Sequence, residues 1–456
     1  MRSCSIPLLT ALSLAACPAP SEDTDVGVEA GSDDEVGEST TDSRAEASSD
    51  TEASTEGETS SDTDTGTDTE TSSDTETSTE GDAGTETETG GGPACGDGVV
   101  EGDEACDDGN TLPGDGCGPN CMVSGTALWE VFVSGENPGP DSFREIAVDQ
   151  LGHVAVVGYQ HPDVRWYGRF DGSSGDMLWG EVWPGQQAAM WDVGANSGEL
   201  IALAISAGTP IDSARLVTFD GDGVMGWQHT LPMDSAFTSV VLTPEDDVIV
   251  GGHVEDVFHL RRYDSEGNLE WIGPEMGDSA FDLALRPDGS IVAATVGSPP
   301  RVVSISAQGE HEWTAAPLEW ISYYAELTAD EGGRAYVVGY EGSPAHAAVV
   351  ALDTDGSVLW TWVDEEEGQG WGIVSTGQGL LAGGERFGRV QSSGWLGWFD
   401  LDGELTHEQL IAHPDFPDFQ VSVRDLERSP DGYGVLGGVH YQPDEAGDMW
   451  LRKFEL

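Results

Sequence analysis

The chain has 456 residues, of which 85 are Asp or Glu and 17 are Lys or Arg, so its formal net charge at pH 7 is −68. A surface this negative repels phosphate backbones and anionic lipid headgroups, which argues against nucleic acid as a partner. We expect a monomer.

The N-terminus has the pattern of an export signal. Arg2 supplies a short basic start, and residues 6–16 form an apolar run that is too short to span a bilayer. The run ends in Leu-Ala-Ala before Cys17, which resembles the lipobox of bacterial lipoprotein precursors. The resemblance implies that residues 1–16 are removed and that Cys17 carries a lipid. The alternative is an ordinary signal peptide followed by a chance cysteine.

Residues 17–94 are predicted to be a disordered acidic tether. Within 21–90 there are 24 Asp or Glu, 29 Ser or Thr, one Arg and no aromatic residue. Such a segment cannot bury enough apolar surface to offset the entropy of ordering. A solvated spacer is the favoured interpretation, and a cation-collecting or ligand-binding acidic tail is the alternative.

A small cysteine-rich segment follows at 95–121. Its cysteines are the only ones after the lipobox, and their even number favours disulfides in an oxidising compartment. The segment resembles a cysteine-rich repeat of myxobacterial surface proteins through Cys-Gly-Asp-Gly, Cys-Asp-Asp-Gly-Asn and Gly-Asp-Gly-Cys. The resemblance implies an extracytoplasmic location and no assigned activity. The disulfide candidates are Cys95, Cys106, Cys117 and Cys121.

The same segment crowds oxygen donors among glycines, which is a composition that suits Ca²⁺. The spacing is not that of an EF-hand loop, and Asp-Gly turns alone explain the same residues. Calcium and plain turn chemistry therefore remain alternatives, and no other cofactor is expected. The candidate ligands are Asp97, Asp103, Asp107, Asp108, Asn110 and Asp115.

Residues 124–456 contain a repeat of roughly 42 to 50 residues. Each unit has two stretches of alternating apolar residues around Asp-Gly turns, which predicts two β-hairpins. Four short strands per radially repeated unit are typical of a β-propeller. The seven units start near Phe143, Trp191, Phe237, Phe281, Tyr324, Trp371 and Val423.

The two ends of this region complement each other. The seventh unit stops before its last strand, whereas the residues around Trp129 match the last strand of other units. The sequence therefore predicts an all-β, seven-bladed β-propeller that is closed by an N-terminal strand, which removes two exposed sheet edges. An open array of seven units is the alternative.

Recurrent tryptophans follow an Asp-x-x-Gly-x-x-x-Trp pattern. The pattern resembles the tryptophan-docking repeats of quinoprotein-type propellers, which include quinone-dependent dehydrogenases and outer-membrane assembly lipoproteins. We interpret these indoles as packing between neighbouring blades, since the vicinal cysteine pair of the dehydrogenases is missing from the propeller region.

Recognition is expected at the connections opposite the short Asp-Gly turns, because these connections vary in length. The candidate ligand-binding residues there are Arg165, Trp166, Trp395 and Tyr441. No catalytic motif was found.

The sequence thus predicts a lipid-anchored protein of the cell envelope, on the outer membrane or cell surface rather than on the inner membrane, that displays a propeller to a protein or polysaccharide partner. An enzyme (hydrolase or lyase acting on an extracellular polymer) and an outer-membrane assembly or scaffold factor are the alternatives.

Overall fold

The computed structural model describes residues 94–456 apart from short segments at 136–140, 162–163, 184–187, 198–199, 208–212, 232–234, 256, 278, 297–299, 316–322, 389–391, 413–419 and 442–446. The expected signal peptide (1–16), Cys17 and residues 17–93 of the expected tether lie outside the described residues. The described part consists of strands and turns, and no helix in it is long and apolar enough to cross a membrane.

The strands, in chain order, are β1 (Ala127–Val133), β2 (Ser142–Val148), β3 (Val154–Gln160), β4 (Val164–Phe170), β5 (Met177–Val182), β6 (Ala188–Ala195), β7 (Ile201–Ala207), β8 (Ser213–Phe219), β9 (Met225–Thr230), β10 (Ser235–Leu242), β11 (Val248–Val254), β12 (Val257–Tyr263), β13 (Leu269–Ile272), β14 (Met276–Gly277), β15 (Ser279–Leu285), β16 (Ile291–Val296), β17 (Arg301–Ile305), β18 (His311–Thr314), β19 (Tyr323–Ala329), β20 (Ala335–Glu341), β21 (His346–Leu352), β22 (Val358–Ser375), β23 (Gly379–Phe387), β24 (Ser392–Asp400), β25 (Leu405–Ile411), β26 (Val421–Arg428), β27 (Gly434–Tyr441) and β28 (Gly447–Phe454).

The strands form antiparallel sheets of four, which we number as units along the chain. Units one to four are β2–β5, β6–β9, β10–β13 (with β14 added beside β12) and β15–β18. The fifth and sixth units share β22, whose first part pairs with β21 and whose second part pairs with β23. The seventh unit is β26–β28 together with β1. The fold is therefore all-β and propeller-like.

Buried apolar side chains form clusters that each lie between two neighbouring units. One cluster, for example, joins Val217 and Phe219 of the second unit to Val157 and Tyr167 of the first. Another joins β2–β4 of the first unit to β27 and β28 of the seventh. The alternating pattern of each strand thus places apolar residues on both faces of a sheet, where each face packs against the next unit.

The first strand of every unit carries a register shift at the same place, which marks a β-bulge. A bulge re-aims one side chain per strand. The bulged residues, from the first unit to the seventh, are Arg144, Trp191, Thr238, Phe281, Ala325, Trp371 and Arg424.

At the outer edge of the sheets, recurrent indoles dock onto the glycine-containing turn before the last strand of the following unit. The Trp360 N–H, for example, donates to the carbonyl of Leu401 at 2.9 Å. A Cβ added to Gly403, whose φ is +88°, would lie 2.5 Å from the Trp360 ring, so only glycine leaves room for the indole. Trp129, Trp179, Trp227, Trp271 and Trp313 make the equivalent N–H bonds.

The first and last strands of the described residues meet in the seventh unit. Strand β1 pairs with β28, and the Trp129 indole donates to the Gly172 carbonyl of the first unit. The Ser124 hydroxyl also donates to the Leu456 backbone oxygen.

The sixth unit departs from the pattern of docked tryptophans, because His407 takes the tryptophan position and lies against Trp398.

Candidate functional site

The first strands of all seven units line a common channel. One cavity in it, of about 200 Å³, has lining residues from β2, β6, β10, β15, β19, β22 and β26. A second cavity of about 320 Å³ lies where these strands begin, and we call it the mouth. The mouth is lined by Ser142, Phe143, Arg144, Glu145, Tyr159, Phe281, Ala325, Trp371 and Arg424.

Two arginines at bulge positions define one side of the mouth. The guanidinium of Arg144 lies 4.3 Å from the centre of the Trp191 ring, and that of Arg424 lies 5.0 Å from the Trp371 ring. Arg144 Nε also donates to the Trp191 carbonyl at 3.3 Å. Stacking on an indole restricts a guanidinium and leaves its N–H edge directed elsewhere. The two arginines come from adjacent first strands, those of the first and seventh units.

Below the mouth, the channel is lined by carboxyl groups. They belong to Glu145, Asp192, Asp282, Glu326, Asp425 and Glu427, and none of the described residues lining this cavity is basic. All but Glu427 occupy the position directly after the bulge. The seventh unit supplies two of the six carboxyls, and Ser239 and Gly372 hold the corresponding position in the third and sixth units.

Three of these aspartates tie neighbouring units together. Asp425, for example, accepts the backbone N–H of Ile146 in the first unit at 2.5 Å and that of Leu426 at 2.6 Å. Asp192 and Asp282 accept the corresponding N–H groups of Val240 and Leu327, both at 2.7 Å. In the third unit the Ser239 hydroxyl accepts the N–H of Leu283. The aspartates therefore satisfy backbone donors that face the channel.

Two of the three glutamates in the layer, Glu145 and Glu326, reach a carboxyl rather than a backbone donor. Glu145 and Glu326 both lie within hydrogen-bonding reach of the Asp425 carboxyl. Because Asp425 already accepts two N–H bonds, its remaining lone pairs can accept hydrogen bonds from the protonated carboxyls of Glu145 and Glu326. One oxygen of Glu326, Oε2, is buried and has no hydrogen-bond partner among the described residues.

Burial raises the pKa of every carboxyl in this layer. It raises the pKa of Asp192 to about 8 and that of Asp282 to about 7. Burial and the nearby Asp425 charge hold the pKa values of Glu145, Glu326 and Glu427 well above the usual range. The layer therefore retains protons near neutral pH, because its carboxyls are buried and lie close to one another.

All four candidate ligand residues lie in strands, so their expected placement in surface loops is wrong, and two of them are also buried. Trp166 lies in β4 and Trp395 in β24, with exposed fractions of 5% and 0%. Trp395 stacks on Trp362 with 5.5 Å between ring centres. The strands extend further than expected, and their alternation turns both indoles toward a neighbouring unit.

The other two candidates lie close to the mouth. Arg165 pairs with Tyr159 across β3 and β4, and Tyr441 ends β27. Burial raises the pKa of Tyr159, and Tyr441 raises it further, whereas the charges of Arg424 and Arg165 lower it. The structure therefore brings Arg165 and Tyr441 to the surroundings of Tyr159, which itself lines the mouth. Whether they bind a ligand stays a prediction.

The cysteine-rich segment forms two disulfides, Cys95–Cys121 and Cys106–Cys117. Asp107 accepts the backbone N–H groups of Gly96, Asp97, Gly98 and Gly109, and these bonds lower its pKa.

The remaining acidic residues of the segment behave in similar ways. Asp97 and Asn110 accept backbone N–H groups two residues further on, and the Asn110 amide donates to Asp115 beside Asp108. Asp103 is exposed. The cluster with metal-like spacing is Glu104, Asp107 and Cys121, but the Cys121 sulfur is held in a disulfide. These bonds are those of turn chemistry, and calcium stays a prediction.

Sequence reasoning missed the mouth arginines and the carboxyl layer. The signal was present in the repeat itself, because an acidic residue recurs at one register inside an apolar strand. Aligning the units on their first strands puts Glu145, Asp192, Asp282, Glu326 and Asp425 in one column, and the arginines fall in the column before it.

Comparison with known proteins gives one family match and distant structural similarity. Residues 91–122 match a family described as a domain of unknown function, DUF4215. No curated protein matches the chain.

Two solved structures are similar. A protein of unknown function from Bacteroides caccae has 12% identity and a TM-score of 0.38 over 53% of this chain and 93% of that chain. A structure titled "YCF48 bound to D1 peptide" has 12% identity and a TM-score of 0.48 over 73% of this chain and 98% of that chain. At this distance neither bears on the function of the chain.

Proposed function

We propose that this chain is an exported lipoprotein that displays a seven-bladed β-propeller as a binding module. In this proposal the signal peptide (1–16) is removed, Cys17 carries the lipid, a tether (17–94) and a myxobacterial-type cysteine-rich repeat (95–121) follow, and the propeller occupies 124–456. The lipid holds the protein at the cell surface, and the ligand enters the channel at its mouth.

Several contacts support the blade count and the closure by an N-terminal strand. Seven first strands carry the same bulge, and their residues line one channel. The pairing of β1 with β28 and the bond from Ile146 to Asp425 connect the last unit to the first. A closed ring leaves no sheet edge available for pairing with another chain.

The mouth is the observation that carries the binding role. It combines two stacked arginines with aromatic side chains around one cavity of about 320 Å³, and each wall residue is set by a bulge or a strand end of a rigid sheet. Concave sites with apolar walls and a few fixed polar groups are where ligands bind in proteins of this size.

Protease accessibility on intact cells tests display, with Cys17→Ala as the control. Cleavage of the propeller on intact cells, and release of Cys17→Ala into the medium, is the expected result. Protection until the outer membrane is broken would contradict display at the surface.

The binding role is tested with Arg144→Gln/Arg424→Gln, which should lose any partner that the wild-type chain retains. Equal retention by both forms would exclude the mouth.

An enzyme is the second candidate, and the carboxyl layer is the observation that favours it. Glu145, Asp425 and Glu326 form a group of adjoining carboxyls whose pKa values are raised by burial, and such groups can serve as general acids and bases. The test is release of new chain ends from extracellular polysaccharides. Glu326→Gln should abolish this release, whereas Glu331→Gln, outside the carboxyl layer, should not change it.

A further inference from the structure

We infer that the mouth binds a small molecule that carries one carboxylate on an apolar body. The inference deepens the proposed function, since it names the class of ligand for the same site. The two guanidiniums would bind the carboxylate, and the aromatic wall across the mouth would pack against the body.

The guanidiniums are suited to a planar anion. A guanidinium presents parallel N–H donors that match the two oxygens of a carboxylate. Those of Arg144 and Arg424 are each held against an indole, which reduces the rotamer entropy that is lost on binding. They lie on adjacent first strands and line the same cavity, so one anion can lie between them.

The remaining wall is apolar. Phe281 and Ala325 come from the fourth and fifth units, across the ring from the arginines, and Trp371 adjoins them. A cavity of about 320 Å³ has room for a carboxylate and a ring or a short branched chain. A ligand that fills the mouth would thus have its charge on one side and its apolar body on the other.

The surroundings limit the ligand to a single negative charge. Glu145 lines the mouth together with the arginines, and the other carboxyls lie directly below. The charge of the whole chain is −68, so a polyanion or a dianionic phosphate would meet strong repulsion outside the two guanidiniums. The two arginines form a local positive site in a negative surface, which favours a small monoanion.

The test is titration calorimetry of the full chain with 3-phenylpropionate, alongside 3-phenylpropanamide, phenethylammonium and inorganic phosphate as probes. We expect saturable binding of the carboxylate. The neutral amide should bind at least about tenfold more weakly, because it cannot form charge-assisted bonds with both arginines. Equal binding of the carboxylate and the amide, or no saturable binding of the carboxylate, would overturn the inference. Tighter binding of phosphate or of phenethylammonium would also overturn it.

Matched variants locate the site. Arg144→Gln and Arg424→Gln should each weaken carboxylate binding by about tenfold, whereas Arg428→Gln, an exposed arginine four residues further along β26, should leave it unchanged. Unchanged binding in both mouth variants would overturn the inference. Thermal unfolding of each variant separates loss of the site from loss of the fold. If the folded protein is displayed at the surface and binds its partner through the mouth but does not bind carboxylates, only this ligand class is refuted. The proposed function would then stand.

Discussion

Neighbouring units are joined at two distances from the channel, and the two junctions use different chemistry. Near the channel, carboxylates such as Asp192 and Asp425 accept backbone N–H groups of the next unit. At the outer edge, indoles such as Trp360 dock onto a glycine turn. The inner junction depends on charges that burial disfavours, whereas the outer junction depends on apolar area and a neutral bond. The outer junctions should therefore be independent of pH, whereas the inner junctions should change with the protonation of their carboxyls.

The inner junction should make stability fall as the pH rises. The folded-state pKa values of Asp192 and Asp282, about 8 and about 7, lie above the ordinary value of 3.8. The folded protein therefore keeps protons that the unfolded chain releases, and the free energy of unfolding decreases from about pH 4 to about pH 8. Between pH 5 and its own folded-state pKa, each of these two carboxyls contributes on the order of 1 kcal/mol per pH unit to this decrease.

Urea unfolding at pH 5, 6, 7 and 8 measures this slope. Glu145→Gln/Glu326→Gln removes two titrating groups from the layer and should flatten the slope. A maximum of stability at pH 8 in the wild-type chain would contradict the assignment of protons to the carboxyl layer.

The outer junction should be costly to remove and insensitive to pH. Trp360→Ala removes a docked indole, and we expect a loss of about 3 kcal/mol at every pH. Trp360→Phe keeps an aromatic ring but loses the N–H bond to Leu401, so it should cost only about 1 kcal/mol in total. Denaturant titration at pH 5 and pH 8 provides both numbers. A strong pH dependence of the difference would show that the two junctions are not independent.

The hydrogen bonds of the inner junction can be tested separately from its charge. Asp425→Ala leaves the N–H groups of Ile146 and Leu426 without their acceptor, and we expect a loss of about 2 kcal/mol at pH 5. Asp402→Ala, at an exposed turn, is the control and should stay within about 0.5 kcal/mol of the wild-type value. Equal stability of the two variants would mean that solvent in the channel replaces the lost acceptor.

The smallest effect on the stability of the sheets is expected from changes beside the junction between the sixth and seventh units. It has His407 in place of a docking indole, and the cysteine-rich segment contacts it through a bond from Thr406 to the Gly114 carbonyl. Cys106→Ser/Cys117→Ser should destabilise the segment by about 2–3 kcal/mol and the sheets by less than about 1 kcal/mol. Calorimetry should therefore show one shifted transition and one nearly unchanged. A shift of both by the same amount would show that the segment and the sheets unfold as one cooperative unit.

A large part of the fold could be predicted from the sequence, because each repeat unit contains the local patterns that specify its strands and turns. Alternating residues around Asp-Gly turns specify hairpins, and Trp129 at one end matches the strand that is missing at the other. Trp166 and Trp395 were misplaced because strand ends are weakly marked, and a shift in the strand boundary decides whether a side chain lies in a loop or between two sheets.

By itself, the sequence determined the all-β class, the period of the units, the docking positions of the tryptophans and the cysteines available for disulfides. These features depend on side-chain alternation, turn chemistry and residue counts within short stretches. Only the tertiary structure decided that Arg144 and Arg424, 280 positions apart in the chain, line one mouth, and that Glu145 and Glu326 adjoin Asp425. The reason is physical: side chains from distant units meet only when the sheets surround a common channel, and the burial that perturbs their pKa values exists only there.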